Sequence, residues 1–193
     1  MAEEIFLAHG PQVAVRRIAL RDYEEITDLT RESAELHHPW VPTREMPPEA
    51  FREYVARFDQ PTHEGFVVCS RETGAIVGGI NINNIVRGTI QSGALGYVAY
   101  ASTAGRGYMT QGLRLVVEFA FTELGLHRLE ANIQPANESS IRLVRRLGFQ
   151  REGYSPHFQF LDGAWRGHER WALTVEMTGT LAPDATAPAT TCA

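Results

Sequence analysis

Gly105 and Gly107, within Ala104-Gly-Arg-Gly-Tyr-Met-Thr-Gln-Gly112, lead straight into a strongly amphipathic helix, and that arrangement suits the binding of a phosphate. Leu113, Val116, Val117, Ala120, Phe121 and Leu124 recur at helical spacing as one apolar stripe, so the helix is docked on a core. Its start carries no strong Ser, Asp or Asn cap. The first-turn N–H groups of residues 105 to 110 therefore need another acceptor, and glycines let a ligand come close to the backbone. A phosphate group fits there. A lone Gly-x-Gly serves equally as a plain turn before a core helix, and the rest of the chain decides between the two.

Other phosphate and metal chemistries fit poorly. No Gly-Lys-Ser/Thr is present for a Walker-type loop. Gly105-x-Gly107-x-x-Thr110 lacks the third glycine of a dinucleotide fingerprint and follows a late strand, outside an N-terminal βαβ unit. Of seven histidines only His37 and His38 are adjacent, and neighbours do not chelate from one helix face, so no metal is expected. Cys69 lies in an apolar run and Cys192 near the end, with neither disulfide nor metal spacing.

The elements that position this turn belong to one domain, since 193 residues with 44% hydrophobic content can bury one good core. A formal charge of −5 without a basic run gives no nucleic-acid footprint and suits an amine better than an anion. No apolar run approaches the roughly 18 residues of a membrane span, and Glu3 and Glu4 stand where a signal peptide would be positive. A cytoplasmic location away from membranes is the expectation.

Taken in order, Val13 to Leu20 reads as a first strand and Arg21-Asp22 as the start of a helix to about Ser33, capped by Asp22. Leu36 to Pro42 is expected to be a proline-broken loop. A second helix follows from Pro47-Pro48-Glu49 to about Phe58, and the two helices make an aromatic-bearing wall. Gly65 to Ser70 and Ala75 to Ile82 form a hairpin through Glu72-Thr-Gly74. Ala94 to Tyr100 is a fourth strand running into the Gly105-x-Gly107 turn. Arg128 to Gln134 alternates strictly, a fifth strand with Leu129, Ala131 and Ile133 inward. The helix between them makes a parallel crossover the natural connection. Asn137-Glu-Ser-Ser140 caps a short helix with Ile141, Val144 and Leu147 buried and Gly148 as its stop, and Phe149 folds back on Val144. Two last strands lie near His157 to Leu161 and Glu169 to Val175, joined by Asp162-Gly163. The Ala-, Pro- and Thr-rich tail from Thr180 is expected to be disordered.

This order, with Gly105-Arg-Gly-Tyr108 after a strand, resembles the GNAT superfamily of acyl-CoA-dependent N-acetyltransferases over roughly residues 12 to 177. Leu95-Gly-Tyr97, Phe121-x-x-Leu-Gly-Leu-His-Arg-Leu-Glu-Ala131, Asn137-Glu-Ser-Ser-Ile-Arg-Leu-Val144, Leu147-Gly-Phe149 and Glu152-Gly153 look like the RimJ/RimL branch of ribosomal-protein N-terminal acetyltransferases. The resemblance implies an α/β (α+β) fold: a mixed, mostly antiparallel seven-stranded sheet with helices on both faces and a parallel splay between the fourth and fifth strands. The domain would span residues 12–179, between an N-terminal extension, 1–11, and the tail, 180–193.

The resemblance implies that Gly105, Arg106, Gly107, Tyr108, Met109 and Thr110 present N–H groups to the pyrophosphate of coenzyme A, in agreement with the helix-start physics. It places the pantetheine arm on the open edge of the fourth strand at Tyr97, Val98 and Ala99. Backbone N–H groups near Val98 and Ala99 would hold the oxyanion. Ser140 would give the leaving thiolate its proton, and Asn137 would contact pantetheine as well as cap its helix. The pattern departs at Ala104, where a polar side chain is usual, at Met109, where a small residue is usual, and at Gln111-Gly112, where Glu-Ala is usual. Gly112 should weaken the helix slightly.

Acetyl transfer needs a base for the amine, and here the residues thin out. Two glutamate positions of the branch are Ala94 and Gln159. Glu130 is expected to hold an ion pair with Arg128 or Arg146; His157 or His168 on the late strands has a ring suited to proton uptake, a plain surface role fits either histidine as well, and solvent can serve as base through a water chain. The expected activity is acetyl transfer from acetyl-CoA to a primary amine, foremost the N-terminal amine of a protein or peptide. A small amine such as an antibiotic or polyamine is the alternative acceptor, and an acyl-CoA sensor without turnover is a third reading. A homodimer is compatible with all of these.

Overall fold

The computed structural model describes residues 5–41 and 46–179, so the expectation of a disordered tail from Thr180 lies outside the described residues. Eight strands form one sheet: β1 (Ala8–His9), β2 (Val13–Arg17), β3 (Glu64–Ser70), β4 (Ile76–Val86), β5 (Ser92–Ala99), β6 (Arg128–Ile133), β7 (Gln150–Leu161) and β8 (Ala164–Thr174). Their order in space is β1-β2-β3-β4-β5-β6-β8-β7, and every neighbouring pair is antiparallel except β5 with β6. The mixed, mostly antiparallel sheet and its single parallel pair are those the sequence implied.

One strand more than the expected seven arises before residue 12. The Leu7 N–H donates to the Val15 carbonyl at 2.8 Å and the Gly10 N–H to that of Val13 at 2.7 Å, folding Ala8–His9 back onto β2. Strand β7 begins at Gln150, well before His157, and is interrupted by register shifts between Arg151 and Gly153 and between Ser155 and Gln159. Such bulges break the two-residue alternation by which a strand is recognised. Both expected tight turns are present: Gly74 takes φ +76°, and Asp162 and Gly163 take +46° and +75°, the pair of positive values a two-residue hairpin needs.

Helices cover both faces. On one side lie α1 (Tyr23–Glu32), α2 (Ala34–His37) and α3 (Pro48–Ala56), and on the other α4 (Tyr108–Thr122) and α5 (Glu138–Arg146). The α4 stripe is buried as expected: Leu113, Val116 and Ala120 are wholly inaccessible, packed with Val13, Val15, Phe66, Val68 and Leu129. The smaller core of Val67, Cys69, Ile76 and Tyr100 takes Ile26 and Leu29 of α1. The separation of faces comes from strand alternation, except at β4. There a register shift opposite Val68 and Cys69 inserts Val77, which joins the α4 side while Ile76 stays on the other.

Three local expectations are corrected. Leu36 and His37, expected in a loop, lie in the single turn of α2. Asp22 precedes α1 but does not cap it. Its carboxylate instead forms two 2.8 Å hydrogen bonds with the Arg16 guanidinium and accepts the Ala19 N–H, and both charged groups are buried. Gly112 is more than a weak helix residue: a Cβ there would lie 2.6 Å from Cγ2 of Val68, so the glycine lets α4 approach β3. Among the described residues no helix is long and apolar enough to cross a membrane.

Candidate active site

The parallel pairing of β5 with β6 runs from Ser92 and Arg128 to Leu95 and Ala131 and stops. Beyond it Gly96 to Ala99 remain paired with β4 on one side only. The pair parts because β5 continues toward α4 while β6 turns off through Gln134 to α5. The result is a wedge with an open strand edge on one wall, the kind of edge that an extended amide-bearing ligand pairs with.

The turn after β5 leads to the N-terminus of α4. Gly105 and Gly107 take φ +78° and +81°, Gly107 is the N-cap in a left-handed conformation, and no side chain caps the helix. A Cβ built on either glycine meets nothing within 4 Å. Backbone N–H groups at the start of a fifteen-residue helix are thus left for a ligand, with the partial positive charge of the helix end behind them. Ala104, Arg106 and the two glycines are exposed, while Tyr108, Met109 and Thr110 are half-buried. The unusual Met109 has its own accommodation: its sulfur would sit 2.1 Å from a Cβ on Gly78, so the absence of a side chain on β4 leaves room for it. Gln111 bonds Gln12 by both backbone and side chain, tying α4 to the start of β2.

Across the wedge, α5 presents Asn137 and Ser140. The Asn137 side chain accepts the Ser140 N–H at 3.1 Å and the Ser139 hydroxyl at 3.0 Å, so its capping role is real. The helix ends as expected, with Gly148 at φ +91° and the Phe149 N–H donating to the Val144 carbonyl at 3.1 Å. The Ser140 hydroxyl lies 2.5 Å from that of Tyr97 on β5, so a hydrogen bond joins the two walls. Burial pushes the Tyr97 phenol up to about 12, against the smaller opposing pull of that bond. The phenol therefore stays protonated near neutrality.

On the opposite face, β3, β4 and β5 and the three N-terminal helices enclose a cavity of about 490 Å³ that reaches β5 at Gly96, Tyr97 and Val98. Its wall includes Ile26, Val41, Phe51, Val67 and Val98, with polar groups from Thr30, Arg31, His37, Tyr54, Asn81 and Tyr100. Among the described lining residues there is no carboxylate. Glycines make the space: β4 and β5 contribute Gly79 and Gly96, and the Asn81 amide lies over Gly96, whose Cβ would come 2.3 Å from Oδ1. Burial raises both Tyr54 and Tyr100 above the usual phenol range, each partly offset by a hydrogen bond, from Asn81 and Thr30 respectively. His37 is 6% exposed, and its Nε2 lies 2.8 Å from the Ala99 carbonyl.

The base candidates weighed from sequence fall elsewhere. Glu130 bonds Arg128 through one oxygen and Arg170 through the other, both at 2.9 Å. Burial raises its carboxyl, but the two guanidiniums outweigh that and hold it below its ordinary range. Arg128 and Arg170 thus make Glu130 structural; Arg146, the other partner considered, is not needed. His157 is exposed at a bulge of β7 with φ +50°, and His168 is buried against Phe158 with its Nδ1 bonded to the Arg166 carbonyl at 3.0 Å. Neither lines the cavity. The residues that do come from separate elements, and only the aromatic-bearing wall expected of the first two helices hinted at them.

The sequence profile described as "Acetyltransferase (GNAT) domain" matches residues 12–150. The chain is 29% identical over 170 residues to the [Ribosomal protein uS5]-alanine N-acetyltransferase of Escherichia coli (strain K12), covering 84% of this chain and 88% of that protein. It is 27% identical over 166 residues to the spermidine N(1)-acetyltransferase of the same organism, covering 83% and 85%. Among solved structures, Mycobacterium smegmatis RimJ in complex with CoA-disulfide superposes with a TM-score of 0.78 at 27% identity, over 85% of this chain and 82% of that one.

Proposed function

The chain belongs to the GNAT acetyltransferase family and is an acetyl-CoA acetyltransferase of that type, and we propose that its acceptor is the N-terminal amine of a protein or peptide. The observation that carries this reading is the apolar cavity behind Gly96 to Val98, without a carboxylate among its described lining residues. A polyamine brings two or more further cations, and burying those unpaired is costly. An N-terminal amine must itself be neutral to react and brings an apolar or small first side chain. The wall of Ile26, Phe51, Val67 and Val98 suits such a group.

In this reading the N–H groups of Gly105 to Thr110 hold the pyrophosphate of acetyl-CoA, and the open edge at Tyr97, Val98 and Ala99 pairs with the pantetheine arm. N–H groups near Val98 and Ala99 receive the oxyanion that develops on the thioester. Ser140, coupled to Tyr97, gives the departing thiolate its proton, and Asn137 orients both that serine and the arm. The CoA-bound RimJ supports this assignment of the cleft by similarity.

A thiol-release assay with acetyl-CoA against peptides of different first residues, spermidine and an aminoglycoside tests the acceptor. Turnover is expected with peptides beginning in small or apolar residues and not with spermidine. A kcat/KM for spermidine above that of every peptide would sink the reading and favour the second relative's acceptor class.

A further inference from the structure

Among the described residues that line the cavity, one carries an imidazole, a group able to accept a proton. Among the described lining residues the ionisable groups are Arg31, His37, Tyr54, Tyr97 and Tyr100. Arginine keeps its proton. The three phenols are raised by burial and do not supply a phenolate near neutrality. Outside the cavity, Glu130 has both oxygens occupied by arginines.

His37 closes α2 and is held by the Ala99 carbonyl 2.8 Å from Nε2. A carbonyl only accepts, so Nε2 must carry the hydrogen, and in the neutral ring the lone pair is then on Nδ1. The anchor matters as much as the tautomer. Ala99 ends β5, one residue beyond Val98, so the ring is fixed beside the strand whose open edge faces the wedge and within the wall of the cavity that reaches it.

We propose that His37 is the catalytic base of this acetyltransferase, taking the proton that the attacking amine sheds. The inference rests on the cavity being the acceptor site. The amine lone pair forms the new C–N bond to the thioester carbon, and the C–S pair leaves with sulfur. Nδ1 takes the proton lost as the nitrogen becomes an amide, and sulfur takes one from the Ser140 and Tyr97 hydroxyl pair. Exchange with bulk water restores both groups, so amine and acetyl-CoA give amide and free thiol.

His37→Gln separates base from anchor, because a glutamine amide can still donate to the Ala99 carbonyl but accepts no proton. With the best acceptor of the peptide panel, kcat is expected to fall about a hundredfold or more. The rise in melting temperature on adding acetyl-CoA should persist. In His37→Ala, added imidazole should restore part of the lost turnover. A glutamine variant with wild-type kcat would overturn the proposal. So would loss of the acetyl-CoA-dependent stabilisation in that variant, or an alanine variant that binds acetyl-CoA and gains nothing from imidazole. If the wild-type protein binds acetyl-CoA yet acetylates no peptide, the acceptor reading has failed instead.

Discussion

Replacing Ser140 with alanine removes the partner of the Tyr97 hydroxyl, 2.5 Å away, and leaves that half-buried phenol without the bond joining the two walls of the wedge. Orphaning a polar group costs at most about 1–3 kcal/mol, the full penalty being that of a wholly buried one. For a chain of this size each kcal/mol moves the melting temperature by about 2–4 °C, so a drop of at most about 2–12 °C is expected. Loss of stability in the single variant therefore does not argue against a catalytic serine. Tyr97→Phe removes the other partner and should cost about 0.5–1.5 kcal/mol. The double variant Tyr97→Phe/Ser140→Ala leaves no orphan. Its loss should fall short of the sum of the singles by about 1 kcal/mol, as expected for directly coupled residues. Turnover follows a different arithmetic. If the serine protonates the thiolate, kcat drops by roughly one to three orders of magnitude in Ser140→Ala and stays down in the double variant, although the stability losses of the two changes do not add. Thermal unfolding and thiol release on the same four proteins read both quantities. Wild-type turnover per folded molecule in Ser140→Ala would refute the proton-donor role, and strict additivity of the stability losses would refute the hydrogen bond.

Gly107→Val should abolish the rise in melting temperature on adding acetyl-CoA, because a β-branched side chain at φ +81° strains the turn and blocks approach to the amides; an unchanged rise would put the pyrophosphate elsewhere. Gly112→Ala gains about 1 kcal/mol of helix propensity but meets Val68 at 2.6 Å, an overpacking cost of about 1–3 kcal/mol. Unfolding by denaturant should show a net loss that Val68→Ala partly reverses, whereas a higher midpoint for Gly112→Ala would contradict the close approach. Glu130 has a lowered folded-state pKa, so the stability it contributes is present above the unfolded value of about 4.5 and is lost as pH falls below it. Glu130→Gln should therefore be less stable than the wild type at pH 7 and lose less on acidification, and parallel stability curves across that range would count against the ion pairs.

What the sequence determined by itself is whatever short-range periodicity and turn chemistry dictate. The α4 stripe, the inward Leu129, Ala131 and Ile133 of β6, the Asn137 cap and the Gly74 and Asp162-Gly163 turns each depend on neighbours within a few residues, and each stands as expected. The parallel pairing of β5 with β6 was also legible, because strand, helix and strand in succession favour a parallel crossover, whereas the open edge beyond it was implied only by the family resemblance. Tertiary structure alone decided the rest, for reasons of distance along the chain. Tyr97 and Ser140 are 43 residues apart, and no local pattern marks their hydroxyls as partners. Gly78 and Gly112 read as weak strand and helix residues until Met109 and Val68 fill the space they leave. The bulges in β7 erased the alternation that would have announced its first half. His37, in a stretch that prolines made look like a loop, reaches β5 only because α2 folds across the sheet, 62 residues before the carbonyl that fixes its ring.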